Sequence, residues 1–237
     1  MFSDEPTRSV GEVVDPAKYV SHPYEQQRCR LIAEQIPAGQ GRPALDAGSG
    51  PGVFSRILKD RGWRVDAIDA EAENLQHVRD VVENAYQGDV VDTLAERPAG
   101  RYDFALALEL IEHIPPLRGR ALLRELRRVL SPRGRLLLST PNRHSPEGLI
   151  GYYLNEKLRG VRRWGAWDPS HVHIYSSREI LALLQREGFI VEAVTGYWYE
   201  ARLPLLGRFA LPFTVCRRRP MNRLGFNLIL QCRAKRH

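Results

Sequence analysis

A carboxylate followed by glycines at every second position, Asp46-Ala47-Gly48-Ser49-Gly50-Pro51-Gly52, restricts this chain more than any other stretch. An apolar lead-in, Pro43-Ala44-Leu45, precedes it, and Val53-Phe54-Ser55-Arg56-Ile57-Leu58 follows with the pattern of an opening helix. Strand, glycine turn and helix together make a nucleotide site: glycines let backbone turn tightly and lie against a ligand, and amides at the helix start face it. The dinucleotide fingerprint is G-x-G-x-x-G, whereas here the spacing is D-x-G-x-G-x-G. An acid inside the motif suits a ligand with a cationic amino group better than a pyrophosphate. Asp46, Gly48, Ser49, Gly50 and Gly52 are the first candidate contacts.

The rest of the chain alternates strand and helix around this motif. The helix after it ends at Arg61-Gly62, a natural C-cap, and Trp63 to Asp69 reads as a second strand closing on an acid. Asp69 lies 17 residues past Gly52, room for one helix and a return strand. An acid there can accept from both hydroxyls of a ribose, with Ala70 beside it. It can equally cap the helix that follows, expected over 74–82. Tyr86-Gln87-Gly88-Asp89-Val90 gives a short third strand, whose Asp89 could accept from an adenine amine while the Val90 amide reaches a ring nitrogen. Tyr102 to Leu110 is almost wholly apolar, as expected of a central parallel strand buried on both faces. It breaks into Glu109-Leu110-Ile111-Glu112-His113-Ile114-Pro115, followed by an amphipathic helix over 118–130. Ser131-Pro132-Arg133-Gly134 reads as a turn, Arg135 to Thr140 as the fifth strand, Ser177 to Glu187 as a helix, and Phe189 to Val194 and Phe226 to Cys232 as strands six and seven. Such alternation predicts an α/β, Rossmann-like, doubly wound, mostly parallel sheet of seven strands with its ligand at the carboxyl edge.

Residues 1–39 are expected to form an N-terminal arm and cap helix, and 40–237 the main domain with insertions at 141–176 and 195–224. The cap helix places Cys29, Leu31, Ile32 and Ile36 on one face. Tyr19 and Tyr24 precede it or open it, where they could touch a substrate. The first insertion carries Lys157, Arg159, Arg162, Arg163, Trp164 and Trp167, the second Tyr197-Trp198-Tyr199 and Arg217-Arg218-Arg219. Apolar and basic residues together suit a lid over a hydrophobic acceptor or a membrane-surface element. Trp164, Trp167, Tyr197 and Trp198 are accordingly candidate substrate contacts. The net charge of +7 is uneven: 201–237 hold nine Lys or Arg and no acid, leaving 26 basic against 28 acidic residues elsewhere. Three scattered cysteines form neither a disulfide framework nor a Cys zinc site, and no apolar run is long enough to span a membrane. Without a signal-peptide pattern at the start, a cytoplasmic setting with optional peripheral membrane contact is expected.

The glycine motif and the acid-ended strands resemble the class I S-adenosylmethionine (SAM)-dependent methyltransferases over about residues 40 to 235, which implies an antiparallel last strand. The resemblance assigns SAM, leaving as S-adenosylhomocysteine, to Asp46, Gly48, Ser49, Gly50, Gly52, Asp69, Ala70, Asp89, Val90, Leu108 and Glu109. Glu109-Leu110-Ile111-Glu112-His113, with Ser139-Thr140-Pro141-Asn142 after strand five, is similar to the ubiquinone-biosynthesis O-methyltransferase-like group (methyltransferase type 11/23) and to the small-RNA 3′-terminal 2′-O-methyltransferases. That resemblance implies a divalent metal, Mg²⁺ or a similar ion, on Glu109, Glu112, His113 and His171, with His173 the nearby alternative. Without a metal, His113, His144, His171 and His173 are candidate bases. The expected activity is O-methylation of a small or lipophilic phenolic acceptor. RNA 2′-O-methylation and N- or C-methylation of a small molecule are the alternatives. A binding protein that keeps the fold but has lost catalysis is disfavoured by the intact Asp46, Gly48, Gly50, Asp69 and Asp89.

Overall fold

The computed structural model describes residues 23–146, 149, 170–198, 201–202, 210–211 and 213–235. Helix α1 (Pro23–Ala33) leads into β1 (Pro43–Ala47), α2 (Val53–Asp60), β2 (Arg64–Asp69), α3 (Ala72–Gln76), β3 (Asn84–Gln87), α4 (Val90–Ala95) and β4 (Tyr102–Leu108). A 3₁₀ turn (Ile111–His113), α5 (Pro116–Val129) and β5 (Leu130–Pro141) follow, then α6 (Ser177–Arg186) and β6 (Phe189–Trp198). The short β7 (Ala201–Arg202) and β8 (Ala210–Leu211) pair only with each other, and β9 (Thr214–Cys216) and β10 (Asn227–Ala234) complete the described elements. The main sheet runs β3-β2-β1-β4-β5-β10-β6-β9. Strands β1 to β5 are mutually parallel, and β10 lies antiparallel between β5 and β6. The expected seven strands are all present, and β9 adds a short eighth at the β6 edge.

Strand pleating builds both layers of the core from the same residues. Leu45, Ala47, Ala105, Ala107, Leu136 and Leu138 face one side, with Val91 and Leu94 of α4, Leu122 and Leu126 of α5, and Ile180 and Leu184 of α6. Their neighbours Ala44, Phe104, Leu106, Leu108 and Leu137 face the other, against Phe54 and Leu58 of α2 and Leu31 and Ile32 of α1. Each fully buried leucine or isoleucine contributes about 2 kcal/mol, so α1 is docked by its apolar face onto the sheet that carries the glycine motif.

Some boundaries differ from expectation. Val90 is the first residue of α4 rather than the last of β3, because the Asp89 carboxylate accepts from the amides of Val91 and Asp92 and caps the helix. The helix expected over 74–82 is only α3, and turns continue over 77–81. There the carbonyls of His77 and Asp80 accept from Arg56 and Lys59 of α2. The turn expected at Ser131–Gly134 lies inside β5, where the register with β4 shifts between Tyr102 and Phe104. Strand β6 runs on to Trp198, into the expected second insertion. The expected arm, the helical part of the first insertion with Trp164 and Trp167, and much of 199–212 lie outside the described residues. Among the described residues no helix is long and apolar enough to cross a membrane.

Candidate active site

The glycine loop leaves the tip of β1 as a tight hairpin over β2. The amides of Gly48 and Ser49 both donate to the Ile68 carbonyl, at 2.8 and 3.0 Å, and Gly50 donates to Asp69 Oδ2 at 2.7 Å. Gly48, Gly50 and Gly52 have φ of 70°, 51° and 78°, a region side chains rarely adopt. A Cβ on Gly52 would lie 1.7 Å from Val78 Cγ1, so this glycine is demanded by packing. Among the described residues, a Cβ on Gly50 would meet nothing within 4 Å. Ser49 is 7% exposed and its buried Oγ has no partner among the described residues.

The acids at the strand tips are tied into the scaffold. Asp46 is buried and accepts from Ser55 Oγ of α2 at 2.6 Å. Burial pushes its carboxyl up to about 6, with the nearby Asp69 charge adding to the rise and the Ser55 bond opposing it. Asp69 accepts on Oδ1 from the Glu71 amide and Asn74 Nδ2, and on Oδ2 from Gly50, joining loop, strand and α3. The Asp89 bonds to Val91, Asp92 and the Arg118 guanidinium all converge on Oδ1. Partial burial raises the Asp89 carboxyl, but these hydrogen bonds outweigh it and hold the group below the usual range. Val90 and Leu108 are buried, and Ala70 is exposed beside Asp69.

Beyond β4 the chain passes through Glu109, with φ of 49°, into the 3₁₀ turn. Glu112 is fully buried; its Oε2 accepts from Thr140 Oγ1 at 3.1 Å, and its Oε1 has no partner among the described residues. Burial, reinforced by the neighbouring Glu109 charge, pushes the Glu112 carboxyl well above the ordinary range. The segment before α6 returns here, with the amides of Val172 and His173 both donating to the Glu112 carbonyl at 2.8 and 3.0 Å. That places His171 against His113, with ring centroids 4.9 Å apart. Ligand atoms of Glu112, His113 and His171 lie within 4.8 Å of one another. A buried carboxylate oxygen lacking a donor, beside two imidazoles, fits a divalent cation in charge and donor type. Glu109 is not part of this cluster. Its amide donates to Ser139 Oγ, at 3.1 Å, and to the Ser139 carbonyl, while the same hydroxyl donates to Glu109 Oε1 at 2.6 Å.

The remaining candidates scatter. His144 is exposed, its amide donating to Asn142 Oδ1, and stands outside the cluster. His173 packs edge-on against Tyr175, and burial lowers its imidazole below the ordinary value. Tyr24 is half-buried at the start of α1 and Trp198 half-buried at the end of β6. Tyr197, offered above as a substrate contact, is instead a core residue. It is fully buried, packs on Phe213 and accepts from Asn227 Nδ2. Tyr19, Trp164 and Trp167 lie outside the described residues. Sequence reasoning missed Ser139 and Thr140 as partners of the two glutamates, and it missed Arg28. That arginine is 4% exposed, pairs with Glu25 at 2.9 Å, lies over Phe54 just past the glycine loop, and its charge reaches Glu112. A signal was present: Arg28 sits three and four residues before Leu31 and Ile32, a cation in the apolar stripe of the cap helix.

Residues 19–194 match the family described as the methyltransferase domain. The ubiquinone biosynthesis O-methyltransferase of Idiomarina loihiensis is 29% identical over 157 residues, 64% of this chain and 61% of that protein. The protein of the same name from Xanthomonas axonopodis pv. citri is 30% identical over 188 residues, 76% of this chain and 75% of that one. Among solved structures, a SAM-dependent methyltransferase from Archaeoglobus fulgidus superposes with a TM-score of 0.65 at 19% identity, over 91% of this chain and 96% of that one. With the family matched over most of its length and the fold shared, this chain belongs to the methyltransferase domain family and is a SAM-dependent methyltransferase.

Proposed function

We propose that the protein methylates a hydroxyl oxygen of a small, lipophilic phenolic acceptor, in quinone-type or related biosynthesis. The observation that carries this is the Glu112–His113–His171 cluster beyond the carboxyl tip of β4, and in this reading the acceptor meets the cofactor methyl beside it. The name shared by the curated relatives supports the same chemistry. In this reading the face at Gly50 and the acids Asp46, Asp69 and Asp89 hold SAM, with the unengaged Asp89 Oδ2 reaching the adenine amine. Arg28 offers a buried cation for the carboxylate of the methionine part, and Asp46 a carboxylate for its ammonium. Bound SAM supplies an electrophilic methyl on a sulfonium, so the protein's task is to align the acceptor oxygen and remove its proton. Glu112, His113 and His171 would hold a divalent cation, whose charge lowers the pKa of a nearby hydroxyl. Glu109 would join only by leaving Ser139. Where no cation is bound, an imidazole of the same cluster takes the proton.

Transfer from SAM labelled on the methyl group tests the proposal, with an organic-soluble metabolite extract and total RNA as acceptor pools, each with and without EDTA. Label in the organic fraction that falls at least tenfold with EDTA and with Glu112→Gln is the expected result. Label in the organic fraction that survives EDTA removes the cation from the mechanism and leaves the imidazoles. The acid-free, basic stretch 201–237 favours RNA as the second acceptor class, and label confined to RNA would replace the first reading by that one.

A further inference from the structure

His113 is gripped from one side. Its Nδ1 lies 2.9 Å from Ser170 Oγ and 3.3 Å from the Ser170 carbonyl oxygen. A carbonyl only accepts, and a serine hydroxyl readily does so, hence both contacts are satisfied together when Nδ1 carries the proton. The ring's lone pair is then on Nε2. The grip is anchored: Val172 and His173, two and three residues on, hold the Glu112 carbonyl through their amides. Ser170 therefore keeps its place relative to the 3₁₀ turn, and it comes from a segment 57 residues away in the chain. We propose that Ser170 is a positioning residue that fixes His113 in the Nδ1–H tautomer and presents Nε2 to the reaction.

The need for such a device follows from the neighbourhood. His113 and His171 are 4.9 Å apart at their centroids and inclined by 58°, close enough for two neutral imidazoles to hydrogen-bond in either sense. If His113 donated to its neighbour through Nε2–H, Nε2 would have no lone pair with which to ligate or to accept a proton. Committing the His113 proton to Ser170 removes that state. Outer hydroxyl and carbonyl partners of this kind typically change affinity or activity by about 10- to 100-fold when removed. Because the Ser170 carbonyl persists in any substitution, the lower end applies here.

This inference rests on the reading that His113 serves the reaction, so the test separates the two. In protein labelled with ¹⁵N at histidine and freed of metal with EDTA, long-range proton–nitrogen correlation spectra should show His113 with a protonated Nδ1 and a bare Nε2. Ser170→Ala should give a mixture of tautomers and about tenfold slower methyl transfer, with SAM affinity within about twofold of wild type. Ser170→Thr, which keeps the hydroxyl, should restore both. A wild-type spectrum with the proton on Nε2, or Ser170→Ala with wild-type tautomer and rate, overturns the assignment of Ser170. His113→Gln with undiminished transfer overturns the reading of the site instead, whatever the spectra show.

Discussion

Asp46 is a carboxylate 2% exposed that accepts from the Ser55 hydroxyl and amide, and its carboxyl is pushed up to about 6 by burial. Between its unfolded value near 4 and about 6, the folded chain binds more protons than the unfolded one. The group's contribution to stability is therefore fully present below about pH 4 and lost as pH rises through about 6. A cationic ligand has the opposite preference, since it favours the ionised form. SAM binding should then strengthen as pH rises, with Kd about tenfold weaker at pH 5 than at pH 7, and Asp46→Asn should flatten the profile. Titration calorimetry across that range checks it; a flat wild-type profile would separate Asp46 from the ligand ammonium. At this scale the sequence was only partly legible. Glu109-x-x-Glu112-His113 stood out as a group, but the hydroxyl that draws Glu109 aside is Ser139, 30 residues on in the next strand. Spacing along one segment does not reveal a partner supplied across a sheet.

At the scale of elements, the three loop glycines look alike in sequence and differ in what their hydrogens face. Gly52→Ala would drive a methyl into Val78 at a left-handed backbone position, and should lower stability by about 3 kcal/mol. Gly50→Ala meets no atom of the described residues and bears only the left-handed penalty of about 1–2 kcal/mol. It should fold, melt a few degrees lower and bind SAM at least tenfold more weakly, because its methyl would stand in the face proposed for the ligand. Thermal melts paired with SAM titration decide this; wild-type affinity in Gly50→Ala would show that the ligand uses another face. Strands and long helices were legible through their period, as in the helix expected from Ser177, which starts there as α6, held by a capping box of Ser176 and Glu179 that the structure adds. The short ones were not. Whether 77–81 continues a helix depends on Arg56 and Lys59 reaching from α2 to its carbonyls, a tertiary contact invisible to local pattern.

Across the whole molecule, the carboxyl end of the sheet, where the candidate site lies, is balanced by a polar anchor toward its other end. Buried Asp66 accepts from Tyr102 Oη at 2.8 Å, Arg101 at 2.9 Å and Asn84 Nδ2 at 2.7 Å, joining β2, β3 and the start of β4. Tyr102→Phe should remove about 2 kcal/mol of stability, the worth of a hydrogen bond to a charged group, and leave SAM affinity and kcat unchanged. Urea unfolding with steady-state kinetics tests it, and a changed KM for SAM would show that the two ends communicate. The overall architecture was legible because an alternating αβ chain with acid-ended strands admits few arrangements. The edge strand β9 was not, since three residues carry too little pattern. A further consequence follows from the place of β10 between β5 and β6. During synthesis β1 to β6 emerge before it, so β5 and β6 each wait with an open edge, and the hydroxyls of Ser139 and Thr140 lack the strand that backs them. A nascent chain held on the ribosome short of residue 227 should remain sensitive to protease and unable to retain SAM. The vulnerable window in the synthesis of this protein is the interval of about 4–17 s between completion of β5 and arrival of β10, and chaperones that shield open strand edges should raise its yield.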